Sequence, residues 1–141
     1  MNFQGVVMNV ADLSRSIDFY RGVLGFTLLS QKDQLAAVSA PSSDRAQVIV
    51  LRALESSVVA GAGHIGLRAF ILEVESDDQL ERIANELDSR KLLISRRHHS
   101  EWTAVVGRDP DGVAVVVAFV PGGINETSWR TLDDLLYGVG E

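Results

Sequence analysis

The chain has 141 residues, 46% of them hydrophobic, which at roughly 100 to 200 residues per domain predicts a single domain with one sizeable core. Its net charge of −6, with 13 basic and 19 acidic residues, argues against nucleic acid or an anionic membrane as a partner, and the lack of a basic leader or a long apolar run predicts a cytoplasmic protein. The chain contains no cysteine, so disulfides and thiol catalysis are excluded, and any metal site would need His, Asp, Glu or water as ligands.

The first half of the chain predicts the element order βαβββ. Residues 5–10 are apolar and favour a strand, and Asp12 is a natural cap for a helix that follows. The apolar residues of this helix recur every three or four positions: Leu13, Ile17, Tyr20 and Leu24. Gly25 stands where a helix needs a left-handed closing residue. Three short strands are then predicted over residues 26–30, 34–40 and 46–51.

The second half predicts the same order again. Residues 67–74 are an apolar strand, and Ser76 with Gln79 forms a capping box ahead of a second amphipathic helix. Three strands are predicted after it, over residues 92–96, 102–106 and 113–120. The Asp109–Gly112 stretch between the last two reads as a tight turn, whose acidic residues serve backbone hydrogen bonds. The two halves align with an offset of roughly 64 residues, which indicates a duplicated unit.

We therefore predict an α+β fold with two βαβββ modules, residues 3–54 and 67–121, joined by a Gly-rich linker over 55–66. Each module alone leaves an open four-stranded sheet with one bare face, so we expect the two curved mixed sheets to enclose a shared cleft. In the tail, residues 122–141, four apolar residues follow Ser128 at helical spacing: Trp129, Leu132, Leu135 and Leu136. This tail could cover the cleft, swap onto a second subunit or pack on the outer surface.

Two motifs carry a resemblance to a known family. VADLSRSIDFYRGVLGF, residues 10–26, followed by RDPDGVAVVVAF, residues 108–119, resembles the vicinal oxygen chelate superfamily of glyoxalases, bleomycin-resistance proteins, extradiol dioxygenases and fosfomycin-modifying enzymes. The resemblance covers residues 3–121. It implies the two-module fold and, commonly, a homodimer.

The resemblance also implies where a metal would bind. In metal-dependent members the first strand of each module carries an inward ligand, commonly His, and the last strand carries another, usually Glu. In this chain the four matching positions are Gly5, Ile49, Ala69 and Val116. Because Fe, Mn, Ni and Zn need carboxylate oxygen or imidazole nitrogen, we expect no metal and no cofactor there.

An apolar cleft of this kind suits a hydrophobic or amphipathic small molecule. We therefore predict a metal-free small-molecule-binding protein of the bleomycin-resistance type that holds an apolar or aromatic compound. The predicted cleft residues are Val7, Asn9, Ile49, Ile71, Glu73, Trp102, Ala104 and Val116. Asn9 and Glu73 could instead lie at the cleft rim or in the seam between the units, paired with Arg52 or Arg68, and Trp102 could be ordinary core.

Two other functions stay open. A lyase, isomerase or dioxygenase of the same superfamily would need either a displaced metal site or acid–base work by a cleft-buried Glu73 with a raised pKa. The displaced ligands would come from His64, His98, His99 and Glu101. Against this, adjacent strand residues point to opposite faces, and RRHHSE, residues 96–101, is typical of a solvated hairpin turn. The third option is a structural or regulatory domain that no longer uses its cleft.

Overall fold

The computed structural model describes residues 5–41, 47–54, 67, 69–123, 125, 128, 131, 132 and 135. The chain divides into two compact units, residues 1–58 and 59–141. The division falls inside residues 55–66, the predicted linker, which lies outside the described residues.

The elements of the first unit are β1 (Gly5–Val10), α1 (Leu13–Asp18) with a π-helical turn (Phe19–Val23), β2 (Thr27–Lys32), β3 (Leu35–Ser39) and β4 (Val48–Ala53). The second unit repeats them as β5 (Ala69–Val74), α2 (Asp77–Ser89), β6 (Leu93–His98), β7 (Thr103–Arg108) and β8 (Ala114–Phe119). Each unit holds one four-stranded mixed sheet, in the order β1-β4-β3-β2 and β5-β8-β7-β6. The α+β fold with two βαβββ modules is confirmed, and the strand boundaries lie within two residues of those predicted.

The predicted helix signals act as expected. The Asp12 side chain caps α1 by accepting a hydrogen bond from the Arg15 backbone N–H at 3.0 Å. The Ser76 hydroxyl accepts from the Gln79 N–H at 3.2 Å, and the Gln79 side chain reaches back to the N–H of Glu75. In the usual capping box the side chain at the Gln79 position accepts from the N–H of the cap residue. Here it accepts from the N–H of the preceding residue, Glu75.

The first helix differs from its prediction in one respect. After Asp18 it continues as a π-helical turn, which widens the helix and lets the consecutive residues Phe19 and Tyr20 both be buried. Their rings meet edge to face at a centroid distance of 5.2 Å, and the Tyr20 hydroxyl donates to the Met8 Sδ at 3.7 Å. Gly25, with φ of 77°, ends the turn in the predicted left-handed conformation.

In both units the helix covers one face of the sheet. The buried residues of this face in the first sheet are Met8, Val10, Ala36, Val38, Ile49 and Leu51. In the second unit α2 buries Leu80, Ile83, Ala84 and Leu87. Among the described residues, no helix is long and apolar enough to cross a membrane.

Gly107 of β7 allows α2 to lie close to the second sheet. A Cβ atom at Gly107 would stand 2.8 Å from Leu87 Cδ2 and 3.0 Å from the Leu92 carbonyl oxygen. Leu87 is itself fully buried, so its side chain has little room to yield, and the Leu92 carbonyl is held by a hydrogen bond from the Arg108 N–H.

We predict that Gly107→Val lowers the free energy of unfolding by about 1–3 kcal/mol, because it overpacks the interface between helix and sheet. Urea unfolding followed by circular dichroism measures the change. Gly122→Val is the matched control, since a Cβ there meets no atom within 4 Å, and its effect should stay within about 0.5 kcal/mol. Equal effects of the two substitutions would contradict the packing argument.

Candidate functional site

The face of each sheet that does not meet the helix is the candidate binding surface, and we call it the helix-distal face. Side chains alternate along a strand, and residues paired across strands share a face. On the first sheet these rules give three rows: Gly5, Val48, Ser39 and Thr27; Val7, Val50, Ala37 and Ser30; Asn9, Arg52, Leu35 and Lys32. On the second sheet the same rules give two rows: Ile71, Val116, Val106 and Ser95; Glu73, Ala118, Ala104 and Arg97.

The structure corrects the predicted position of Ile49. Ile49 pairs with Val6 and Val38 and is 7% exposed, on the face that meets the helix. The residues that share a face with Gly5 are instead its neighbours, Val48 and Val50. The error came from the register of β1 on β4, because a slip of one residue moves every side chain to the opposite face.

The side chains at the family's ligand positions do not fit a metal. Gly5, Ala69 and Val116 carry no oxygen or nitrogen beyond the backbone, and neither do Val48 and Val50. Gly5 has a further obstacle, because even a Cβ atom there would overlap the Val48 carbonyl oxygen. A histidine side chain at this position would therefore need the backbone of β1 to move.

Three of the residues named for a displaced metal site, His98, His99 and Glu101, lie at the β6–β7 hairpin, where the two imidazoles contact other partners. His98 Nδ1 lies 2.9 Å from Thr103 Oγ1 across the hairpin, and His99 Nδ1 accepts from the backbone N–H of Glu101 at 3.1 Å. The His99 ring stacks on Trp102 with a centroid distance of 5.2 Å. The predicted hairpin turn is confirmed, and His64 lies outside the described residues. In the described part of the chain no three His, Asp or Glu side chains are grouped as metal ligands.

Most of the cleft residues predicted for the second module lie together on the helix-distal face of its sheet. Trp102, Ala104 and Val116 belong to one buried apolar cluster, with Ile71 packed against it. Glu73 lies on the same face by its pairing with Ala118, but its side chain is exposed. The acid–base hypothesis for Glu73 required a buried carboxylate, and this exposure does not support it.

The tail contributes residues to the same cluster. Leu132 is fully buried in it, and Leu135 packs against it. Trp102, 4% exposed, donates from Nε1 to Thr131 Oγ1 at 2.6 Å. The helical spacing of Leu132 and Leu135 after Ser128 was the only sequence signal of this contact, and it did not determine which surface the tail would meet.

The helix-distal face of the first sheet is more accessible. Val7 is 66% exposed and Leu35 is 42% exposed, beside the half-buried Val50. Leu35 is paired with Arg52 on one side and with Lys32 on the other. A groove of about 660 Å³ opens at this end of the sheet, lined by Lys32, Asp33, Gln34, Leu35, Arg52, Ala53 and Leu54. Its volume lies in the range of small-molecule sites, roughly 300–1,000 Å³.

The sequence prediction missed Leu35 and Lys32 as members of this surface and treated Arg52 only as a partner for Asn9 or Glu73. Asn9 and Arg52 are indeed neighbours across β1 and β4. The alternation of Val48, Val50 and Arg52 along β4 was the available signal. It could not be used without knowing which face of β4 meets the helix.

The Asp109–Gly112 turn has a structural role, as predicted. Asp109 is buried, and its Oδ1 accepts from the backbone N–H groups of Asp111 and Val113, both at 2.9 Å. Gly112 has φ of 92°, a conformation that favours glycine. The Arg108 guanidinium donates to the Gly112 carbonyl at 3.0 Å.

The fold and the motifs agree with comparisons to known proteins. The sequence profile described as "Glyoxalase/Bleomycin resistance protein/Dioxygenase superfamily" matches residues 3–117, so the chain belongs to this family. No curated protein sequence matches the chain.

Several solved structures share the fold. A glyoxylase/bleomycin resistance protein/dioxygenase domain from Frankia sp. EAN1pec is 20% identical with a TM-score of 0.71, over 86% of this chain and 92% of that one. A lactoylglutathione lyase from Agrobacterium tumefaciens is 19% identical with a TM-score of 0.61, over 84% and 92%. A virulence protein from Salmonella typhimurium is 21% identical with a TM-score of 0.55, over 85% and 97%. At these identities the likeness establishes the fold and not the reaction.

We predict that protein purified without added metal or chelator carries Fe, Mn, Ni and Zn well below one ion per chain, because the family's ligand positions lack donor atoms. Inductively coupled plasma mass spectrometry measures the content, with the double variant His98→Ala/His99→Ala as the control. Near-stoichiometric metal in the wild type would contradict the prediction, and its loss in the double variant would assign the metal to the hairpin.

Proposed function

We propose that the protein is a metal-independent small-molecule-binding protein, and that the helix-distal face of the first sheet binds an apolar or aromatic compound carrying an anionic group. The observation that carries this proposal is the pairing of exposed aliphatic side chains with two cations on one face. Val7 and Leu35 supply accessible apolar surface, and Arg52 and Lys32 flank Leu35.

The apolar part of the surface supports binding through burial. Removing an aliphatic side chain from water contributes roughly 25 cal/mol per Å² of buried area, so a planar aromatic ligand gains most of its affinity from such contacts. Val50 and Ala37, half-buried between Val7 and Leu35, extend the apolar strip across three strands. Small side chains along this strip leave room for a flat ring.

Arg52 and Lys32 favour a ligand with a negative charge. The protein has a net charge of −6, so a paired Arg and Lys on one face form a local exception to its acidic character. A guanidinium can bind a carboxylate or sulfonate through two hydrogen bonds, which orients the ligand as well as attracting it. The groove beside Arg52 gives such a group a place next to the apolar strip.

The enzyme alternatives lack a comparable arrangement among the described residues. Acid–base catalysis needs a positioned proton donor or acceptor, and Glu73 is exposed, in a row that also holds the exposed Arg97. His98 and His99 are engaged on the hairpin with Thr103, Glu101 and Trp102. Binding without turnover is therefore the function that these residues support best.

A matched pair of fluorescent probes tests the proposal. Anilinonaphthalene sulfonate is aromatic and anionic, and N-phenylnaphthylamine has the same rings without the sulfonate. We predict that Val7→Asp weakens the binding of both probes by roughly tenfold, since it places a charge on the apolar strip. Ile94→Asp is the control, because Ile94 is 41% exposed on the edge strand β6 of the other unit, and it should change neither affinity.

The second variant tests the ligand charge. We predict that Arg52→Gln weakens anilinonaphthalene sulfonate by about twofold to fivefold, as expected for an exposed ion pair, and leaves N-phenylnaphthylamine unchanged. Equal weakening of both probes would remove the anionic group from the proposal. Absence of saturable binding to either probe, together with no co-purified small molecule in native mass spectrometry, would contradict the binding function itself.

A further inference from the structure

The two helix-distal faces differ in what covers them. Gly5, Val7 and Asn9 of the first module correspond to Ala69, Ile71 and Glu73 of the second in the sequence repeat. Val7 is 66% exposed, whereas the cluster around Ile71 contains Val116 and Val106 with no exposed surface. At these matching positions, the helix-distal face is therefore accessible on the first sheet and buried on the second.

The tail supplies buried side chains to the closed face. Asn125 and Ser128 bond reciprocally, with Asn125 Oδ1 accepting from the Ser128 N–H at 3.0 Å and the Asn125 N–H donating to Ser128 Oγ at 3.2 Å. This is the hydrogen bonding of a capped helix start. Leu132, one turn further on, is fully buried against the sheet.

One polar contact fixes the tail to the sheet. Thr131 donates to the Ser128 carbonyl at 3.2 Å and accepts from Trp102 Nε1, so its hydroxyl is used in both directions. The Trp102 ring also stacks with the ring of His99, which lies in the β6–β7 turn. The hydrogen bond therefore gives a defined docking position to a contact that is otherwise apolar.

The tail follows the last strand of the second module and lies outside the family match. The family match ends at residue 117, so residues 125–135 are not part of the duplicated modules. A turn in which the Gly123 N–H donates to the Val120 carbonyl at 2.8 Å leads from β8 toward Asn125. A tether of this length holds Leu132 near the sheet at an effective concentration on the order of millimolar or higher.

We propose that the tail, through Thr131, Leu132 and Leu135, is a built-in occupant of the helix-distal face of the second sheet, and that a ligand binds this face only when these residues detach. The inference rests on the proposed function. The face it concerns contains Ala69 and Val116, two of the positions at which metal-dependent relatives are expected to hold their metal. The tail and an apolar ligand are then competitors for one surface, and its release is a local opening of the fold.

The absence of cysteine from the chain allows a direct measurement of this release. Leu132→Cys places a single thiol in the docked contact, and Ala84→Cys places one in the fully buried contact between α2 and the sheet. The rate of modification by dithiobis(nitrobenzoate) is measured for both full-length variants, with and without N-phenylnaphthylamine. Circular dichroism and urea unfolding establish that each variant is folded.

We expect the thiol of Leu132→Cys to react at least about tenfold faster than that of Ala84→Cys, because tail release does not require global unfolding. The probe should accelerate the first reaction saturably and leave the second unchanged. Adding Thr131→Val to Leu132→Cys removes the acceptor for Trp102 and should speed the reaction by roughly a further fivefold.

The outcomes separate the two proposals. Saturable probe binding with no change in the Leu132→Cys rate would overturn the competition while leaving the binding function in place. Equal rates for the two thiols would also overturn it, since the tail would then be a permanent part of the core. No probe binding to the wild type or to the variant with Thr131→Val would overturn the binding function, and the competition with it.

Discussion

The alternation of side chains across the two mixed sheets is the constraint on which the rest of the structure depends. In each unit one face is used by the helix, so whatever the other face carries decides what the protein can do. Met8, Leu51 and Val38 secure the helix side of the first sheet, and this leaves Val7, Arg52 and Leu35 on the other. Under the proposed function, packing against the helix and ligand binding use alternate positions of the same strands.

The duplicated modules differ in the residues on their helix-distal faces. In the first module it combines exposed aliphatic residues with Arg52 and Lys32. In the second a buried apolar cluster lies beside the exposed Glu73 and Arg97, and Leu132 from the tail is buried in that cluster. Neither face offers side-chain donors at the positions where metal-dependent relatives are expected to bind an ion, and at Gly5 the Val48 carbonyl leaves no room for a side chain.

The fold could be predicted because its signals are local. Asp12, Ser76 and Gly25 mark helix ends by hydrogen bonds and backbone conformation within a few residues, and the repeat of the whole pattern fixed the architecture. The position of Ile49 could not be predicted, because it depends on the register between β1 and β4, which lie about forty residues apart.

The π-helical turn and the docking of the tail were also beyond local pattern. The turn accompanies the burial of the consecutive residues Phe19 and Tyr20, which periodicity alone does not reveal. Leu132 has the same helical spacing whichever surface it meets, and its burial in the cluster around Trp102 depends on contacts between residues far apart in the sequence. The apolar character of the candidate site could therefore be predicted from the sequence. Its location on the accessible face of the first sheet and its two cations could not.

The most direct test of the account is an NMR titration of full-length protein, labelled at its valine and leucine methyl groups, with anilinonaphthalene sulfonate. The account predicts saturable shifts centred on Val7, Val50 and Leu35, with Val38 and Leu51 on the helix side unchanged. Shifts centred on Val38 and Leu51, or none anywhere at saturating probe, would contradict the claim that the helix-distal face of the first sheet is a binding surface.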